Sequence, residues 1–153
     1  MKEVFGDAMV LRRNYTYLCV TTNGFVKKNG EAVMGAGIAK TVNLLSHKHG
    51  MNAAARLGAR IRKNGNIVQK LYGNILAFPV KHNWWEAADI ELIKESCRQL
   101  MKLLGPDETA LLPRPGCGNG KLNWSDVKPV IEKILDDRVS IVHWKEERKE
   151  VMT

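Results

Sequence analysis

The chain has 153 residues, about the length of one domain, so a second domain would have almost nothing to be built from. With 44% of residues in the apolar set and 26% charged, the composition is that of a soluble globular protein with a single packed core, which excludes a disordered or fibrous chain. Its 24 Lys+Arg against 16 Asp+Glu leave a net charge of +8, a field that favours an anionic partner: nucleic acid, a phosphate-bearing metabolite or an acidic surface.

Three cysteines, an odd number, argue against a disulfide framework, and the opening MKEVFGDAMV lacks the apolar run of a signal peptide. These features predict a reduced, cytoplasmic protein. No apolar stretch approaches the roughly 20 residues that cross a bilayer, so no membrane partner is expected.

Strand-like and helix-like segments alternate without a linker or a repeat, the pattern of a layered α/β domain. Tyr17 to Thr22 is a short β-branched apolar run that predicts a buried strand feeding the turn-rich NGFVKKNG. Ile38, Ala39, Val42 and Leu45 recur at helical spacing, as do Met51, Ala54, Gly58 and Ile61, which predicts two helices split near Gly50. Ile67 to Leu71 and Ile75 to Val80 flank Gly73-Asn74 and predict a hairpin or paired strands. Asp89 caps a helix whose apolar face is Ile90, Ile93, Cys97, Leu100, Met101 and Leu104, stopped by Gly105-Pro106. Thr109 to Leu112 is a short strand running into PRPGCGNGK. Asn123 is placed to cap a helix bearing Val127, Val130, Ile131 and Ile134, and Val139 to Trp144 is a final strand.

In open α/β sheets ligands bind at the carboxyl ends of strands, and both glycine-rich loops follow strands and precede helices. The first ends in Met34-Gly35-Ala36-Gly37-Ile38, where glycine lets a backbone approach a phosphate and a helix N-terminus supplies N–H donors. It is either a diphosphate cradle or a tight turn at a close helix–sheet contact. The second, Pro113 to Gly120, sets Gly116, Gly118 and Gly120 around Cys117 and Asn119, a run able to form an anion nest or simply to turn the chain. Lys40 stands where a dinucleotide fingerprint needs its third glycine, and Lys40-Thr41 lacks the glycines of a P-loop.

A cysteine phosphatase wants an arginine closing the loop after Cys117, and GNGKLNW has none, so Cys117 reads as a small side chain beneath the loop, with Cys19 and Cys97 in the core. His47, His49, His82 and His143 are scattered without ligand spacing, so no metal is expected. Lys81 leaves the end of a strand at FPVKHNWWE, either as a desolvated, functional lysine or as an ordinary strand-end one. Trp84 and Trp85 either stack on a base or, as is commoner, cap the core. Arg56, Arg60, Arg62, Lys63 and Lys27-Lys28 form a possible basic face, though such runs are usually solvated surface.

These segments together resemble the macrodomains, which bind ADP-ribose. The match runs from Gly6-Asp7 through CVTTNGFVKKNGEAVMGAGIA and FPVKHNW to LLPRPGCGNGKLNWSDVKPVIEKIL. It is most similar to the subgroup of bacterial DNA ADP-ribosyl-glycohydrolase antitoxins, terminal-ADP-ribose hydrolases and short phage-encoded macrodomains. The resemblance implies a single three-layer α/β/α domain over residues 1–153 with a central mixed sheet, no cofactor and a monomeric, bacterial or phage protein. It puts Asp7 at the adenine amino group, Asn23 near the distal ribose, and Gly35, Ala36, Gly37 and Ile38 around the diphosphate and that ribose, with Thr22 also among the ligand-binding residues. Pro113, Gly116, Cys117, Gly118, Asn119 and Gly120 fall on the second phosphate loop. Lys81 and Asn119 stand at the catalytic positions, Lys81 matching the lysine thought to engage the anomeric carbon. Asn119 is a departure from the protein-deglutamylating branch, which has a carboxylate there; the DNA-directed branch also has Asn. The implied function is an ADP-ribosyl glycohydrolase acting on modified DNA or protein. The alternatives are a non-catalytic binder of ADP-ribose or a related NAD-derived signal, and an ADP-ribose-1''-phosphate phosphatase. Bare nucleic-acid binding ranks below these as a sole function.

Overall fold

The computed structural model describes residues 1–144. Its elements are β1 (Lys2–Phe5), α1 (Ala8–Leu11) with a short 3-10 turn (Arg12–Asn14), β2 (Tyr17–Asn23), α2 (Gly37–Lys48) and α3 (Ala53–Asn64). There follow β3 (Gln69–Tyr72), β4 (Ile75–Lys81), α4 (Ile90–Leu103), β5 (Ala110–Pro113), α5 (Trp124–Ile131) and β6 (Val139–His143). The strands form one sheet in the order β1-β6-β5-β2-β4-β3, parallel throughout except for the β3–β4 hairpin.

The sheet is covered on both faces, which is why β4 reads as an unbroken apolar run. Along it Leu76, Phe78 and Val80 pack under α4 and α5, while Ile75 and Ala77 pack under α2 and α3. The result is the expected three-layer α/β/α arrangement around a mixed sheet. In α4, Asp89 caps by accepting from the Glu91 N–H, and Ile93, Cys97 and Leu100 are fully buried against the sheet. Cys19 and Cys97 sit in the core, where burial pushes both thiols up, Cys97 to about 12.

Several local readings are corrected. A strand absent from the sequence pattern, β1, precedes Tyr17: its four largely exposed residues carry too little hydrophobic signal, and it pairs in register with β6 from Lys2↔Ser140 to Phe5↔His143. The hairpin's first strand starts at Gln69, because Ile67 lies exposed before it. Asn123 stands at the N-cap of α5 without a side-chain capping bond, and Ile134 lies past the helix in a turn closed by its N–H donating to the Ile131 carbonyl.

For function, the decisive consequence is directional. Because β1, β6, β5, β2 and β4 run parallel, Phe5, His143, Pro113, Asn23 and Lys81 all end on one side of the sheet.

Candidate functional site

On that side the two glycine loops border a cleft of about 1380 Å³, larger than most small-molecule sites. By strand order, Asp7 and His143 stand at one end and Lys81, Trp84 and Trp85 at the other.

The first loop is anchored before it reaches the cleft. Asn23 Oδ1 accepts from the Phe25 N–H at 3.1 Å, and its Nδ2 donates to the Val33 carbonyl at 3.1 Å, so this side chain brackets the loop. The Ala32 N–H donates to the Ala54 carbonyl of α3, and a Cβ at Gly58 would lie 1.9 Å from the Gly30 oxygen. Glycine is therefore what lets α3 seat the loop. Beyond buried Met34, the exposed Gly35-Ala36-Gly37 leads into α2, with Gly37 in the left-handed region at φ +57. No side chain caps α2, nor α5, whereas α1, α3 and α4 are capped by Asp7, Asn52 and Asp89. The two uncapped helices are those that follow the glycine loops, which leaves their N–H donors and positive ends for a ligand's anion.

In the second loop the glycines divide by role. A Cβ on Gly116, at φ +78, would stand 2.9 Å from both Ala88 Cβ and Ile93 Cδ1; one on Gly120 would stand 2.4 Å from the Gly116 oxygen. These two are packing glycines. Gly118 has open space around it. Burial pushes the half-buried Cys117 thiol up to about 11, so it is inert at neutral pH.

Lys81 joins the two halves. Its Nζ donates to the Asn119 carbonyl at 3.0 Å and to the Trp84 carbonyl at 3.4 Å. Burial, and then the like charge of Lys121, holds its pKa below the ordinary lysine value. Its backbone is fixed as well: the Lys81 carbonyl accepts from Asn66 Nδ2 at 3.0 Å and from the Gly24 N–H at 3.2 Å. Preceding residues are tied to α4, with Ser96 Oγ donating to the Pro79 carbonyl at 2.7 Å. His82 Nε2 lies 2.8 Å from Asp89 Oδ2, a contact that lowers the Asp89 pKa. At the other end, Glu3 pairs with Lys128 at 2.7 Å and accepts from Trp124 Nε1, while the Arg114 guanidinium sits over the Trp124 ring at 4.9 Å.

No family model matches the sequence, and no curated protein matches it. Solved structures do. The macrodomain of Mycobacterium tuberculosis DarG superposes with a TM-score of 0.66 at 21% identity, covering 94% of this chain and 97% of that one. The macrodomain of Thermus aquaticus DarG gives 0.68 at 21%, covering 95% and 97%. Thermosipho africanus DarTG in complex with ADP-ribose gives 0.66 at 22% over 90% of this chain, which spans 39% of that longer protein. The fold is that of a macrodomain.

Within this macrodomain fold, the residues that the resemblance assigns to ligand binding and catalysis all line this cleft: Asp7, Thr22, Asn23, Gly35 to Ile38, Lys81, Pro113 and Gly116 to Gly120. They are not equivalent in what they offer. Asp7 Oδ1 accepts from the Met9 N–H at 2.8 Å and so caps α1. Asn119 gives its carbonyl to Lys81 and is exposed. The expectation that Trp84 and Trp85 cap the core is overturned, since they are 51% and 58% exposed and line the cleft. Sequence reasoning missed Asn66, which has no motif around it and donates to the Lys81 carbonyl, and it missed the cleft residues Glu86, Arg114 and Lys121. Lys121 is the one non-glycine residue at positive φ (+63) among the described residues. Asp7 and Glu86 supply the cleft's carboxylates among those residues, and Glu86 Oε1 accepts from Asn83 Nδ2 at 2.6 Å. Among the described residues no cluster of His, Cys, Asp and Glu is arranged to hold a metal.

Proposed function

We propose that the protein binds ADP-ribose in this cleft and is a glycohydrolase that releases it from a modified macromolecule, DNA or protein. The observation that carries this reading is the tie from Lys81 Nζ to the Asn119 carbonyl, which fixes a lysine of lowered pKa where the two glycine loops meet. The uncapped starts of α2 and α5 suit a diphosphate, neutralised by backbone N–H groups with no long side chain to be ordered. The likeness in fold to a protein solved with ADP-ribose adds support.

In the proposed mechanism the loops hold the distal ribose with its anomeric carbon against Lys81. A neutral amine keeps its two N–H bonds on the Asn119 and Trp84 carbonyls and has its lone pair free. That lone pair attacks the anomeric carbon as the bond to the acceptor breaks, the acceptor leaving with the bonding pair and taking up a proton. Water then hydrolyses the lysine–ribose adduct and restores the amine. In the variant mechanism Lys81 stays protonated and stabilises the departing group.

The test offers the protein ADP-ribosylated DNA, ADP-ribosylated protein and ADP-ribose-1''-phosphate side by side and identifies what is released. Free ADP-ribose from either macromolecule supports the glycohydrolase; inorganic phosphate marks the phosphatase instead. Lys81→Ala abolishes turnover and keeps ADP-ribose binding within about tenfold, or about 1.4 kcal/mol; turnover equal to the parent removes Lys81 from the chemistry. One observation favours a second reading, a non-catalytic binder: the second loop presents the amide of Asn119 where a hydrolase of the protein-directed kind has a carboxylate. Tight binding of ADP-ribose with all three substrates left intact selects it.

A further inference from the structure

Lys121 combines two features found together nowhere else among the described residues: a side chain on a left-handed backbone, φ +63, and a place on the wall of the cleft. In that region Cβ crowds the following carbonyl, a strain that glycine would not carry. Local structure does not ask for a lysine. The turn is closed by the Lys121 N–H donating to the Gly118 carbonyl at 3.0 Å, and the Leu122 N–H donates to the Gly116 carbonyl at 2.9 Å. Both bonds use backbone atoms alone and would form equally with glycine, which the same loop already uses at φ +78 in Gly116. The exposed Lys121 side chain makes no hydrogen bond and no ion pair among the described residues. A strained residue that stabilises nothing nearby, at the edge of a cleft, points to function.

What the lysine adds is a second ammonium at the reacting end. Asn119 lies inside the turn that Gly118 and Lys121 close, and its carbonyl accepts from Lys81 Nζ at 3.0 Å. Two cations brought that close repel, which favours loss of a proton from the more buried one. The direction of the Lys81 shift agrees, with Lys121 its second cause after burial. The other charged or titratable groups around Lys81 do not supply this push. Glu86, held by Asn83 Nδ2 at 2.6 Å, is a carboxylate and favours the ammonium. His82 is paired with Asp89 at 2.8 Å, and the Cys117 thiol, pushed up to about 11, is neutral. Arg114 lies over Trp124, and Asp7 stands at the far end. The cleft-lining stretch of the first loop, Val33 to Ile38, has no charge.

We propose that Lys121 is a positioning residue for the reaction at Lys81: its ammonium, kept at the reacting end by a backbone conformation that costs stability, drives the proton from Lys81 and so supplies the free amine. This rests on the glycohydrolase reading and selects, within it, attack by the amine over stabilisation by an ammonium. Lys121 is chemically unchanged throughout. The Lys81 proton goes to solvent before attack, and the lone pair it leaves forms the bond to the anomeric carbon as the acceptor departs with the old bonding pair. The proton that the new N–C bond makes the nitrogen shed is the one the acceptor takes up.

Three variants separate strain from charge. Lys121→Gly removes both, Lys121→Met removes the charge alone, and Lys121→Arg keeps both. Trace labelling with acetic anhydride across a pH series, read at Lys81 by peptide mass spectrometry, reports the free amine without any substrate. The Lys81 labelling midpoint rises in Lys121→Gly and Lys121→Met and stays with the parent in Lys121→Arg. Single-turnover release of ADP-ribose near neutral pH falls about threefold or more in the first two and not in the third. Lys121→Gly melts at or above the parent, because strain is relieved, and calorimetric affinity for free ADP-ribose stays within about twofold in all three. An unmoved Lys81 midpoint in Lys121→Met overturns the assignment, as does a Lys121→Gly protein that melts well below the parent. A loss of ADP-ribose affinity as large as the loss of rate also overturns it and makes Lys121 a ligand contact. Absence of ADP-ribose release by the parent from any substrate would instead sink the glycohydrolase, while the labelling midpoints still decide whether Lys121 acts on Lys81.

Discussion

The two kinds of glycine in the second loop predict opposite outcomes for one added methyl. At Gly120 a Cβ would lie 2.4 Å from the Gly116 oxygen, 2.7 Å from Gly116 Cα and 2.8 Å from Ala88 Cβ. Two of these obstacles are backbone, fixed in turn by the Leu122 N–H on the Gly116 carbonyl at 2.9 Å and the Ala88 N–H on the Gly120 carbonyl at 2.9 Å. No rotamer change relieves them, so Gly120→Ala belongs at the upper end of overpacking, about 3 kcal/mol. In a domain of this size, that lowers Tm by about 6–12 °C. Displacing Gly120 also moves Asn119, whose carbonyl holds Lys81, so ADP-ribose affinity falls with stability. Gly118 has nothing within 4 Å of the added atom and an ordinary φ, so Gly118→Ala stays within about 0.5 kcal/mol of the parent. Urea unfolding and calorimetric titration with ADP-ribose on both variants make the comparison. Equal stability of the two, or a Gly120→Ala protein that melts and binds like the parent, would refute the assignment of packing and ligand-facing roles.

Three further expectations follow from the site. If Lys81 acts as a neutral nucleophile, kcat/KM rises with pH through its pKa, and because burial and Lys121 lower that value the rise comes below the ordinary lysine range; a rate that falls through the same window assigns the cationic role. Asn66→Ala removes a hydrogen bond to the Lys81 carbonyl, costing about 1 kcal/mol of stability by denaturant titration and lowering kcat more than it raises KM; an unchanged kcat would show that Asn66 merely fastens the strand. Glu86→Gln keeps ADP-ribose binding and lowers turnover if this carboxylate, rather than a second-loop residue, assists water, and parent-like single-turnover rates would exclude it.

Much of the fold was legible because the sheet is buried on both faces. The short apolar, β-branched run at Tyr17 to Thr22, the apolar run at Ile75 to Val80 and the periodicity of α4 are signals that a covered strand or an amphipathic helix generates. β1 was invisible for the converse reason: an edge strand is held by its neighbour's backbone, and backbone pairing leaves no mark on residue choice. The candidate site divides the same way. Glycine announces a special backbone, so both loops stood out. Nothing in the letters distinguishes Gly118, which faces open space, from Gly120, which has no room, since both demands select the same residue. Asn66 and Lys121 reach Lys81 only through the third dimension, and the exposure of Trp84 and Trp85 depends on a loop conformation that periodicity cannot describe.

The excess of eight positive charges is better understood by where it is absent. Of the cleft's full cations among the described residues, Lys81 is engaged by two carbonyls and Arg114 lies over Trp124; Lys121 remains on an exposed, left-handed turn. A diphosphate in this cleft therefore meets chiefly N–H groups, whose partial charges are fixed by the fold and need no rotamers frozen on binding. Affinity from such donors depends weakly on salt, because few counterions are released when they are used. Free ADP-ribose affinity should therefore change little between about 50 and 200 mM salt in calorimetric titration, and a steep fall with salt would mean that side-chain cations rather than backbone N–H groups carry the binding.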